Sequence, residues 1–445
     1  MWKIPELNEI QATLRDHASP IGMRMRAAYY AKQLFVDLQK EEIEKEEKAE
    51  GKEAVDDGIA LSSRSRQQQQ YHHQQQQQRL QKMEDIVSVL CEQVFVKAHG
   101  SLLRHEFAYV LGQMKTDRAC TTLETLLVQE NDCVMVRHEA AEALGAIASL
   151  SSKDVLESTR MKNVGTLDEL ADTCLLALNR LEHVSDDDQT KSQIVVGCAC
   201  MLAPYNSIDP VDVDPAHQSL STKQLGDILL NKTRNNNTKE DNGGGGGDDD
   251  DDDDANNNNA DNGNSNIGYQ SRGDLIERYR AMFSLRNRGG EESVKQLCRA
   301  LVEDTSSPLL RHEVAFVLGQ LQHPTSIPAL EESLSRLDEH AMVRHESAEA
   351  LGAIDGSSED WQRIESILLY YQSDFDPAVA ESCIVALDAA DYWGHDSNDD
   401  TVENSVTEDT TGGLFGKQKH SSTVATCEIR KQILNQHFNV VIQTS

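Results

Sequence analysis

The chain has 445 residues, enough for two or three cores of the usual domain size of about 100–200 residues. Its 42 Lys+Arg against 75 Asp+Glu leave a net charge of -33, which excludes a protein that holds DNA or RNA by phosphate contacts and favours a cationic partner. No run of about 20 apolar residues occurs, and MWKIPELNEI lacks the layout of a secretion signal, so a cytoplasmic chain without membrane association is expected.

In chain order, residues 1–182 read as a first helical half. It is interrupted at about 40–79 by EEIEKEEKAE and a glutamine-rich stretch holding Tyr71, His72 and His73. Such composition buries too little apolar surface to offset ordering, so a solvated, disordered insertion is expected, with the paired histidines belonging to the glutamine tract and not to a metal site. Residues 183–273 read as a linker whose core is Gly243 to Gly247, the aspartates Asp248 to Asp254 and Asn256 to Asn259. A second helical half spans 274–395, and 396–445 is a polar, low-order tail in which VATCEIRKQILNQHFNVVI could form one helix or strand. The nine cysteines lack paired spacing beyond Cys198 and Cys200, which predicts reduced thiols and no zinc site built on cysteine.

The two halves repeat each other. LLRHEFAYVLGQM (102–114) recurs as LLRHEVAFVLGQL (309–321), and MVRHEAAEALGAI (135–147) as MVRHESAEALGAI (342–354), both displaced by 207. Within each half His105 to His138, and His312 to His345, are 33 residues apart. A period of that size with helical patterning marks a solenoid of stacked helix pairs. Cys174 answers Cys383 further on, and Met25 to Tyr29 answer Tyr279 to Phe283 at an offset of 254, so the first half carries 47 extra residues before His105. Leu103, Phe107, Val110, Leu111 and Met114 define one apolar helical face. The predicted fold is therefore all-α, a helical-repeat solenoid in two pseudo-symmetric halves joined by a disordered acidic linker.

Arg-His-Glu occurs four times, at 104–106, 137–139, 311–313 and 344–346. Each His is followed by Ala at +3, Leu at +6 and Gly at +7, so it sits above a strip of small residues such as Ala108 and Gly112. That strip serves ordinary helix packing, with the glycine also expected as a helix cap. Stacking alone gives no reason to hold an imidazole and a carboxylate at one point of four helices. These ligand types suit iron, manganese or zinc, and four histidines with several glutamates suffice for two ions. Zinc remains a competitor, although more than four candidate ligands in a doubled layout favour a dinuclear, oxygen-binding site. Neighbours on a helix diverge by about 100°, so some of the glutamates must do something else.

Paired RHE-x-A-x-x-LG segments in two tandem HEAT-type halves, with ERYRAMFSLRN opening the second, resemble the deoxyhypusine hydroxylases over about 85–182 and 274–393. The resemblance implies a di-iron monooxygenase that uses O2 and an unidentified reductant. Its implied substrate is the deoxyhypusine side chain of eukaryotic translation initiation factor 5A. It also implies that His105, His138 and Glu139 hold one iron and His312, His345 and Glu346 the other, while Glu106 and Glu313 bind the substrate. The glutamine and Asp/Asn insertions depart from the family pattern. Free carboxylates beside the metals are suited to pairing with the substrate's ammonium groups. Glu142 and Glu349, one turn after their histidines, either orient a ligand imidazole or stand as exposed helix charges. The arginines are expected to pair with neighbouring carboxylates, without a catalytic role, and a monomer is expected. Two alternatives are a non-enzymatic, metal-free HEAT-repeat scaffold and a bilin lyase-type repeat protein.

Overall fold

A computed structural model describes residues 4–53, 63–183, 208–232 and 265–394. The described residues form sixteen α-helices and four short 3-10 turns, with no strand among them. The first half contains α1 (Leu7–Arg15), α2 (Ile21–Glu53), α3 (Ser63–Gln93), α4 (Gly100–Met114), α5 (Asp117–Leu127), α6 (Val134–Ile147), α7 (Lys153–Asn163) and α8 (Asp168–His183). The second contains α9 (Thr222–Leu229), α10 (Ser265–Arg288), α11 (Gly290–Glu303), α12 (Pro308–Leu321), α13 (Ile327–Ser335), α14 (Ala341–Ala353), α15 (Ser358–Tyr371) and α16 (Pro377–Gly394). Each helix of one half thus has a counterpart in the other.

The apolar periodicity explains the layers. Leu103, Phe107, Val110 and Leu111 of α4 are fully buried, as are Leu309, Leu310, Val314 and Leu318 of α12. In the inner layer α4 packs on α6 and α6 on α8, while α12 packs on α14 and α14 on α16. The outer layer covers them, α5 on α6 and α7 on α8, with α13 on α14 and α15 on α16 in the second half. The small-residue strip lets inner helices approach closely. A Cβ added to Gly112 would lie 2.7 Å from Ala143 Cβ, and one at Gly145 would lie 2.9 Å from Ala177 Cα. These glycines lie inside their helices and do not cap them. The ends of α4, α6 and α12 are closed instead by the left-handed residues Lys115, Ala148 and Gln322.

The four arginines brace the stack. Arg104, Arg137 and Arg344 each donate from Nε to the carbonyl ten residues back, of Val94, Leu127 and Leu334. Carboxylates on the following loop take the other guanidinium nitrogens: Asp132 for Arg104 at 2.8 Å, Glu339 for Arg311 at 2.7 Å and Asp374 for Arg344 at 2.6 Å. Arg137 departs from the expected carboxylate pairing and is held by the Leu127 carbonyl.

Ordered chain extends further than composition predicted. Helices run through most of the expected disordered insertion, α2 to Glu53 and α3 from Ser63. Glu, Lys and Gln have high helix propensity, and the helices are joined by Arg79 and Glu42 at 2.7 Å, so packing offsets the ordering cost that composition alone implied. Residues 208–232, assigned to the linker, contain α9, which packs on α10 and α11 and opens the second half. The Gly, Asp and Asn runs and the 396–445 tail lie outside the described residues. The described cysteines are all free, in agreement with a reduced set. No single described helix is long and apolar enough to cross a membrane.

Candidate metal centre

The four histidines sit on equivalent turns of α4, α6, α12 and α14, and packing of the two inner layers turns them toward one point. Ring centroids are 5.7 Å apart for His105 and His138, 5.5 Å for His312 and His345, and across the halves 5.2 Å for His138 and His312. His105 lies 5.4 Å from His345 and 6.3 Å from His312. All four are at least nine-tenths buried.

Hydrogen bonding around the ring edges sets the tautomers. Thr173 Oγ1 donates to the Glu169 carbonyl at 2.7 Å, so toward His138 Nδ1, 3.3 Å away, it must accept. Nδ1 therefore carries the proton and Nε2 presents a lone pair inward. His105 repeats this arrangement with Nδ1 3.1 Å from Glu106 Oε1. His345 Nδ1 stands 3.7 Å from Glu349, which itself accepts from Ser382 Oγ at 2.8 Å. Glu349 is thus buried behind the His345 imidazole and is not an exposed helix charge. Glu142 departs from both expected placements, being half-buried on the wall of the cleft that leads to the histidines.

The inward-facing atoms have too few partners for a merely structural core. His138 Nε2, both ring nitrogens of His312 and of His345, and Glu346 Oε1 are buried without a hydrogen-bond partner. Each such atom costs about 1–3 kcal/mol, and their sum is on the order of a whole domain's stability of about 5–15 kcal/mol. A cation that accepts these lone pairs removes the cost, so the residues fit a metal. His105, His138 and Glu139 bring one ligand atom each within 4.8 Å of one another, and so do His105, His312 and His345. Glu139 Oε2 is 3.1 Å from His105 Nε2 and 3.8 Å from His138 Nε2. Glu346 Oε2 lies 3.6 Å from His312 Nε2. The first expected trio is therefore assembled tightly, while in the second Glu346 approaches His312 but the three do not close to the same span.

Electrostatics points the same way. Burial drives the charge off His138 and His312 and holds both imidazoles well below their ordinary range. At His105 burial opposes the charge, but Glu139 and Glu106 outweigh it and push the imidazole up. Burial raises Glu142 and Glu346 well above the usual carboxylate range, and Glu313 to about 8, the latter helped by Asp209 and opposed by Arg286. Raised carboxyls thus stand beside two imidazoles stripped of their charge, while Glu139 and Glu106 keep the charge on His105.

The expected substrate carboxylates both reach the cleft, which is lined by His105, Glu106, Tyr109, Glu139, His312 and Glu313 among others. Three neighbours escaped the sequence reading. Tyr29 donates its hydroxyl to Glu106 Oε2 at 2.5 Å, Thr173 holds His138, and Lys32 lies over the rings of Tyr29 and Tyr109 at 5.4 Å from each. Burial pushes Lys32 down to about 8, although Glu106 acts in the other direction. The repeat pairing of Tyr29 with Phe283, and of Cys174 with Cys383, was the signal available for the first two.

Comparisons with known proteins agree with this fold. A model of HEAT repeats matches residues 271–352 and 294–388. The chain is 39% identical over 294 residues to the deoxyhypusine hydroxylase of Danio rerio, covering 66% of this chain and 77% of that protein. It is 38% identical to the Drosophila melanogaster enzyme and 36% to the Homo sapiens enzyme, with the same shares covered. The solved structure of human deoxyhypusine hydroxylase in complex with glycerol matches with a TM-score of 0.57 at 30% identity, over 87% of this chain and 96% of that one.

Proposed function

This chain belongs to the deoxyhypusine hydroxylase family, and from that premise we propose that it hydroxylates the deoxyhypusine side chain of eukaryotic translation initiation factor 5A with O2 and two iron ions. The observation that carries the reading is the convergence of four buried imidazoles, two from each half, most of whose inward nitrogens have no hydrogen-bond partner in the protein. His105, His138 and Glu139 would hold one iron, and His312, His345 and Glu346 the other. The metal pair, when bound, supplies the redox chemistry and Lewis acidity of O2-dependent oxidation, with electrons from an external donor.

The protein's own residues do the rest. Thr173 and Glu106 hold the Nδ1 edges of two histidines so that the opposite lone pairs face inward, and Glu349 stands 3.7 Å from Nδ1 of a third, His345. The inner layers exclude bulk water from those nitrogens. Carboxylates on the cleft wall, Glu106 and Glu313 foremost, take the substrate's ammonium groups and so fix which carbon faces the metals. A single chain contains the whole cluster, which supports action as a monomer, and a translation factor as substrate supports a cytoplasmic location.

The test is to incubate iron-loaded protein with deoxyhypusine-containing factor, O2 and a reductant, and to follow the substrate's mass. Gain of one oxygen atom on the modified lysine is expected. Iron-loaded protein that leaves the substrate unchanged, or metal-free protein that hydroxylates it, would overturn the proposal and leave a docking scaffold.

A further inference from the structure

The halves place equivalent positions around the cleft but fill them with different chemistry. Tyr29, Lys32, Glu106 and Tyr109 correspond to Phe283, Arg286, Glu313 and Phe316, the first two by an offset of 254 and the last two by 207. In the first half the Tyr29 hydroxyl and His105 Nδ1 both donate to Glu106, while Lys32 rests over two tyrosine rings. In the second, Phe283 has no hydroxyl to offer Glu313, and the cation at the Lys32 position is an arginine only 1% exposed.

That arginine is turned aside. Arg286 donates from Nη1 and Nη2 to the two carboxylate oxygens of Asp209 at 2.7 and 2.5 Å, from Nη1 to Gln320 at 3.2 Å, and from Nε to Asn287 at 3.1 Å. Asp209 belongs to the segment Ile208–Pro210, which lines the outer cleft beside Glu139, Glu142 and Glu313. The same segment lies against Thr173, Ala177 and Arg180 of α8, so it is inserted at the seam between the halves. At the opposite seam α16 packs directly on α2 and α4, and Arg26 pairs with Asp388. The pseudo-symmetry is broken in one direction.

We propose that Asp209 is a positioning residue for the substrate: by gripping Arg286 it keeps the guanidinium from occupying Glu313, so Glu313 is left open to one ammonium group of the substrate while Glu106, its orientation fixed by Tyr29 and His105, meets another. The inference rests on the proposed reaction, because it concerns how that substrate's amines are oriented. Asp209→Asn keeps the shape of the side chain but weakens the grip, and the released arginine then competes with the substrate ammonium.

The experiment measures KM, kcat, iron content and thermal melting for wild type, Asp209→Asn, Asp209→Glu and Asp209→Asn with Arg286→Met, together with calorimetric binding of a deoxyhypusine peptide to the metal-free forms. Asp209→Asn should raise KM and weaken peptide binding at least about tenfold, the scale of one lost charge-assisted contact, with iron content unchanged and kcat falling far less. Asp209→Glu should recover most of the affinity, and removal of Arg286 from the Asn variant should do so too. A folded, iron-replete Asp209→Asn with wild-type KM overturns the inference, whether or not the double variant folds. A wild type that does not hydroxylate at all is a failure of the proposed reaction instead, and peptide binding then still reports on Asp209 separately.

Discussion

His105 and His312, 207 residues apart in the chain, face each other across the seam of the two halves with ring centroids 6.3 Å apart and planes at 79°. Neither half brings four imidazoles together by itself. Metal binding and the docking of the halves should therefore be linked, because only the docked state brings the two ligand sets together and buries them from water.

Iron should stabilise the fold measurably. At a free concentration about 100 times Kd, binding to the folded state alone contributes about 2.7 kcal/mol, so iron-loaded protein should melt several degrees above chelated protein. His138→Ala or His345→Ala should lose iron and most of that increment. Full retention of iron and of the melting shift in both variants would show that the cluster is not the metal site.

Removal of both cleft carboxylates should weaken substrate binding. Glu106→Ala with Glu313→Ala, measured in the metal-free forms because Glu106 also orients His105, should lose the peptide's affinity by one to two orders of magnitude, since each charge-assisted contact contributes about 1.5–3 kcal/mol. Calorimetric titration with a deoxyhypusine peptide checks this, and wild-type affinity in the double variant contradicts the substrate role.

The strip of small residues predicts where a single methyl group is not tolerated. Gly112→Ala would place Cβ 2.7 Å from Ala143 Cβ and 2.8 Å from its Cα, and Gly352→Ala would place it 2.7 Å from Ala386 Cβ. Each should cost about 1–3 kcal/mol through overpacking and shift its histidine-bearing helix, reducing iron retention. An alanine at Gly165, where nothing lies within 4 Å, meets only its backbone conformation of φ +76° and should leave iron content intact. Chemical denaturation with iron analysis distinguishes the two classes.

Acid stability should depend on Asp132. Burial opposes its charge, but Arg104, Lys97 and the Cys133 amide prevail, lowering it from the ordinary 3.8 to about 2. A carboxyl lower in the folded state than in the unfolded chain binds its proton first on unfolding. Its contribution is therefore complete above about pH 5 and is lost as pH falls through about 2. The gap in stability between wild type and Asp132→Asn should be constant near neutrality and shrink progressively below about pH 4. A gap that stays constant down to about pH 2 would rule this out.

Several features were legible because they are local. The 207- and 33-residue spacings and the Leu103–Phe107–Val110 face required helices stacked in pairs, and the four His-Glu pairs marked the turns that matter. Composition misled at Ile21–Glu53 and Ser63–Gln93, since mean polarity does not register that two polar helices can satisfy each other, as Arg79 and Glu42 do. It also concealed α9 inside what reads as a linker.

By itself the sequence determined the helices, their duplication and the ligand types, because periodicity and repetition are written along the chain. Tertiary structure alone decided that the four imidazoles share one buried point, that Thr173 and Glu349 stand behind two of them, and that Asp209, lodged in the seam, reaches Arg286. The physical reason is that a helical pattern states which face a side chain occupies but not what the packing of distant segments brings opposite it.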